Sequence, residues 1–152
     1  MRFVLLLALV ACAHVTPKAT VLGKRVGVGE LTGSDEVKTL MREALAERFE
    51  LDDKAELHLH VEGSLNSFDE TVFRNPSLGL QSTNMQAAVQ RVQTLKVTIR
   101  LVEDASGTEK AVGMYELQEK GAERPRNSQA NDDLGVVLTR RAVRAFIDEH
   151  KL

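Results

Sequence analysis

The alternation of Leu95, Val97, Ile99 and Leu101 with Lys96, Thr98 and Arg100 constrains this chain more than any other feature. Apolar side chains at period two place one face of a strand in a core and leave the other to water or a partner. The fold must therefore contain a sheet with one covered face. Leu57, Leu59, Val61 and Leu65 alternate in the same way with His58, His60 and Glu62. Two amphipathic segments are available to cover that sheet. Val37, Leu40, Met41, Ala44, Leu45 and Phe49 recur at helical spacing behind Ser34, a capping residue, with Asp35 and Glu36 at the positive end of the helix dipole. Leu134, Val137, Leu138, Ala142, Ala145 and Phe146 form a matching stripe behind Asn131, which reads as its cap.

Val26 and Val28 alternate with Gly27 and Gly29, a short first strand weakened by its glycines. Asp104-Ala105-Ser106-Gly107-Thr108 has the chemistry of a hairpin loop, returning the chain into a strand over 111–119. Between Asn66 and Gln86 the pattern lapses into polar and turn-forming residues, with Val72-Phe73-Arg74 an isolated extended island. That segment reads as a long irregular connection. The resulting expectation is an α+β fold of order βαβββα. It is a two-layer sandwich in which a mixed four-stranded sheet carries both helices on one face, with the first two strands parallel across the crossover.

The N-terminus carries Arg2 and then an apolar run from Phe3 to Ala11, too short for a permanent membrane span. It reads as a signal peptide over 1–11. Leu9-Val10-Ala11-Cys12 resembles the lipobox of bacterial lipoproteins, in which the cysteine is acylated, by palmitate among other chains, and becomes the first mature residue. That resemblance implies a lipidated tether over 12–24 and a single α/β domain over 25–152. Ala13, rather than aspartate, after the cysteine implies delivery to the outer membrane, facing the periplasm.

Cys12 is the only cysteine, so no disulfide staples an exported domain and packing must stabilise it. The formal charge is −2, and loss of Arg2 with the leader makes it one unit more negative. That balance, with 4% aromatic residues and no tryptophan, argues against nucleic acid as a partner.

His58, His60 and Glu62 point the same way from one strand, a geometry that zinc sites use. With no third convincing ligand elsewhere, the reading taken is a polar sheet face, with no metal and no cofactor. The serines lie in no nucleophile elbow, and Gly27 and Gly29 form no phosphate loop, so no enzyme is expected. Arg140, Arg141 and Arg144 read as a solvated helix face. Arg74, beside Val72 and Phe73, can offer bidentate contact to a phosphate, and Lys96 and Arg100 share a strand face that would extend such a patch.

Val72-Phe73-Arg74-Asn75 is similar to a segment of the LptE family of lipopolysaccharide-assembly lipoproteins. The order of elements behind a lipidated cysteine also resembles that family. The resemblance implies a lipoprotein that plugs and helps assemble the outer-membrane barrel LptD and assists delivery of lipopolysaccharide, with Arg74 as the lipopolysaccharide contact. A second reading from the same residues is a periplasm-facing lipoprotein serving as a binding or scaffold subunit of another envelope complex. A third, a zinc enzyme using His58 and His60, predicts metal in the purified protein.

Overall fold

The computed structural model describes residues 22–74, 86–129 and 133–152. The chain runs β1 (Leu22–Thr32), α1 (Asp35–Ala46), β2 (Phe49–Leu51), β3 (Leu57–Arg74), β4 (Gln86–Glu103), β5 (Thr108–Pro125) and α2 (Leu134–His150). The five strands form one sheet in the order β2-β1-β3-β4-β5. β1 is parallel to both of its neighbours, while β3–β4 and β4–β5 are antiparallel. The parallel pairing of β1 with the Leu57–Leu65 strand and the hairpin at 104–107 agree with the sequence reading.

The sheet has five strands, which corrects the expected four-stranded, βαβββα arrangement. Phe49 is the residue that moves. Helix α1 ends at Ala46, with Glu47 as its cap, and Phe49 enters a short strand beside β1. There it is buried at the sheet edge, so its apolar character satisfies a strand position as well as it would have satisfied a helical one.

The irregular 66–86 connection is corrected too. β3 continues without a break through Asn66 to Arg74, paired residue by residue with β4 back to Gln86. Val72-Phe73-Arg74 is the end of a strand, not an island. Residues 75–85 lie outside the described residues. Residues 66–71 are all exposed, so neither side of this stretch of β3 is buried and no alternation is imposed on it. Polar pairs across the strands hold it instead. Asp69 stands opposite Arg91 at 3.3 Å, and Lys120 reaches Glu70 at 2.9 Å.

One core joins both helices to one face of the sheet. Met41 and Leu45 of α1 and Leu138 and Phe146 of α2 are fully buried against Leu59, Leu95 and Ile99. Each such side chain contributes about 1.5–3 kcal/mol by leaving water. Ser34 caps α1, its Oγ accepting from the Val37 N–H at 3.3 Å, as its sequence position suggests. The cap of α2 is Asp133, without a side-chain hydrogen bond, and Asn131 lies outside the described residues.

The helices are shorter than the sheet. Strands of 18 residues extend about 60 Å, whereas helices of 12 and 17 residues extend about 18 and 25 Å. The β3–β4–β5 ladder therefore projects well past the layer that covers it.

Candidate functional site

Three places hold the residues that the sequence brought forward. The first is the face of the sheet opposite the helices. His58 and His60 alternate on β3 while Gly27 and Gly29 alternate on β1, and the two sets meet. A Cβ on Gly27 would stand 2.2 Å from the His58 ring, and one on Gly29 would stand 2.6 Å from the His60 ring. Each imidazole lies over a glycine, so the glycines of β1 make room for the histidines of β3. His60 Nδ1 accepts the Glu30 N–H at 3.2 Å, while Nε2 lies over Gly29. His58 Nδ1 lies 3.8 Å from an Asp104 carboxylate oxygen and makes no hydrogen bond.

Beside His60 is an open cavity of about 340 Å³ bordered by Glu30, Glu62, Thr98, Arg100 and Glu109. Its lining mixes both signs of charge. Among the described residues no group of three His, Cys, Asp or Glu side chains is arranged to hold a metal ion.

The second place is the outer face of β4. Lys96 and Arg100 share that face, about 13 Å apart along the strand. Each has an acidic neighbour on β5. Lys96 Nζ is 3.1 Å from Glu116, which stands opposite it in register, and Arg100 Nε is 3.9 Å from Glu109.

The third is the projecting end of the ladder, where Arg74 closes β3 opposite Gln86. The Arg74 side chain lies outside the described residues. Its position is ten residues beyond Ser64, the partner of Lys96, a distance of about 33 Å along β3. The structure thus brings Lys96 and Arg100 to one face and leaves Arg74 far from both. Cys12 lies outside the described residues.

In its outer half β3 exposes two aromatic rings on opposite faces: Phe73, next to Arg74, is 65% exposed and Phe68, five residues before it, 54%. Between them in the strand, Asp69 accepts from Arg124 at 2.9 Å and from Arg91 at 3.3 Å. The Arg124 hydrogen bond above all holds the Asp69 carboxyl below its ordinary pKa; loss of water around the carboxyl opposes it, and Arg91 adds to the lowering. The sequence marks Phe73 only as part of the segment around Arg74 and does not mark Phe68. Phe68 sits in a polar run that read as loop, and only the continuous pairing of β3 with β4 shows it to be a bare aromatic on a strand.

No family model matches the chain, and no curated protein matches it. Among solved structures it is similar to a candidate neuraminyllactose-binding hemagglutinin homolog from Helicobacter pylori, at 11% identity and a TM-score of 0.49, covering 90% of each chain. It is also similar to a minor lipoprotein from Acinetobacter baumannii, at 17% identity and a TM-score of 0.32 over 85% of each chain. The lipoprotein GNA1162 from Neisseria meningitidis is similar at 12% identity and a TM-score of 0.40, over 82% of this chain and 98% of that one. Likenesses this faint say nothing about ligand, activity or location.

Proposed function

We propose that this chain is a lipid-anchored protein of the bacterial envelope that acts by binding and performs no covalent chemistry. Cys12 is its acylation point, and the outer membrane, facing the periplasm, is its location. The observation that carries the binding role is the β3–β4–β5 ladder, which runs past the helices and bears two bare phenylalanines on opposite faces, Phe73 next to its end and Phe68 five residues before that. Bare aromatic rings on a rigid strand platform are what a partner surface provides and what a free-standing monomer avoids.

The finer reading is lipopolysaccharide assembly with an LptD-type barrel. It is favoured by the exposed Phe73 ring next to the end of β3, an apolar group that suits the hydrocarbon of an amphiphile, with the Arg74 position following it in sequence. Lys96 and Arg100 take no part in that contact. The second reading, a scaffold subunit of another envelope complex, is favoured by β5, an 18-residue strand at the sheet edge that no described strand pairs on its outer side.

Affinity purification of the lipidated protein from detergent-solubilised envelope, followed by mass spectrometry, tests these readings. Recovery of a large barrel protein in near-equal amount, with lipopolysaccharide lost from the Arg74→Glu variant, is the outcome of the assembly reading. Recovery of a different envelope complex with no dependence on Arg74 replaces it by the scaffold reading. Recovery of neither removes both.

A further inference from the structure

The arginines of α2 lie on an exposed helix face, as the sequence suggests, and the same face borders a cavity. Arg140, Arg141 and Arg144 meet Arg48, the second residue after α1, around a cavity of about 220 Å³ floored by Ala44 and Val137. Glu47 shares the lining and Glu119 reaches Arg141 from its flank, so four arginines against two glutamates leave a surplus of two positive charges in a chain whose formal charge is −2. The arginines are not equivalent. Glu47 grips Arg140, accepting from its Nε at 2.9 Å, and Arg141 turns to Glu119 at 2.6 Å on the flank. Arg48 and Arg144 make no side-chain hydrogen bond or ion pair with any described residue. Val137, at the floor, is 43% exposed.

Two unpaired guanidiniums over an apolar floor suit an anion that carries hydrocarbon. The volume admits a headgroup-sized group and is too small for a helix or a strand. The chain's own entry point adds a second constraint. Leu22, the first residue of β1, pairs in register with Phe49, the neighbour of Arg48 in sequence. The segment leading from Cys12 therefore enters the fold beside this groove. Nine residues separate Cys12 from Leu22, a reach of at most about 35 Å when fully extended.

We infer that the groove between α1 and α2 binds the phosphate headgroup of an anionic phospholipid in the membrane to which the chain is tethered. Arg48 and Arg144 take the phosphate, Val137 and Ala44 lie against the glycerol, and Arg140 and Arg141 frame the site. The helix layer then faces the bilayer, and the projecting ladder is directed away from the groove. This rests on the reading that Cys12 is acylated.

Arginine labelling tests it. The lipidated protein is reconstituted in nanodiscs of phosphatidylcholine alone or mixed with phosphatidylglycerol, treated with phenylglyoxal, and digested for mass spectrometry. Protection of Arg48 and Arg144 by about fivefold in the phosphatidylglycerol discs, absent in phosphatidylcholine discs and not reproduced by inorganic phosphate, is the expected result. In the double variant Arg48→Gln, Arg144→Gln the remaining Arg140 and Arg141 should label equally in both discs. Equal labelling of the unaltered protein in both discs overturns the inference. Protection by inorganic phosphate equal to that by the lipid overturns the headgroup assignment. The N-terminal peptide in the same digest reports acylation of Cys12 by its mass, so a failure of the tether reading is seen separately. The phosphatidylglycerol dependence then decides the groove on its own.

Discussion

His58 and His60 show how much a residue's meaning depends on its cross-strand neighbour. In sequence they form a metal-like pair, and Gly27 and Gly29 look like weak points of a strand. In the sheet the two features are one, because each imidazole occupies the space that a glycine leaves open. Neither period reveals this alone, since the register that joins them is set by a parallel pairing thirty residues away in sequence. Gly27→Ala places a Cβ 2.2 Å from a His58 ring that is only 15% exposed, so the ring must move. The expected loss is about 1–3 kcal/mol, read as a lower urea midpoint at unchanged slope. Asp69 makes a prediction in pH. Arg124, followed by Arg91, holds its carboxyl below the ordinary 3.8 in the folded protein. A depressed folded pKa contributes stability that is present above about pH 4 and fades as the pH falls through the folded value. Acid unfolding of Asp69→Asn, followed by circular dichroism, should therefore show a shallower fall below pH 4 than the parent protein. An unchanged acid limb would show that the pairing with Arg124 and Arg91 does not stabilise the ladder.

At the scale of elements, legibility followed burial. Helices α1 and α2 and the covered halves of β3 and β4 were readable because one face of each meets the core and so imposes a period. The outer half of β3 was not, since Asn66, Ser67, Asp69, Glu70 and Thr71 face water on both sides and are held by backbone pairing and ion pairs that leave no hydrophobic signature. Phe49 failed for another reason: a single apolar residue two positions past a helix end fits the helical stripe and a short strand equally well. The phenylalanines of the two regions should behave oppositely. Phe146, fully buried, should cost about 3–5 kcal/mol on replacement by alanine, whereas Phe73→Ala should change stability by less than about 0.5 kcal/mol and still weaken partner capture. Urea titration of both variants, with the envelope purification repeated for the second, checks the pair. A large stability loss in Phe73→Ala would mean that the ring packs against the fold and is not available to a partner.

The whole molecule is a two-sided device. Its helix layer is compact and carries a basic groove close to the start of β1, while its sheet extends a rigid ladder well beyond that layer. The parallel crossover and the hairpin could be anticipated from connection lengths and turn residues. The reach of the ladder could not, and with it the separation of Arg74 from Lys96 and Arg100, because the outer half of β3 has no covered face to impose a period, even though Val89 and Val92 beside it on β4 are buried. The most direct test of a membrane-tethered binding protein is photo-crosslinking in intact cells, with a benzophenone amino acid at Phe73 and, as a control, at Ser106 in the hairpin at the other end of the ladder. The account predicts one discrete adduct with an envelope protein from position 73, none from position 106, and the chain wholly in the membrane fraction. A chain recovered in the soluble fraction without an adduct from position 73 would contradict it.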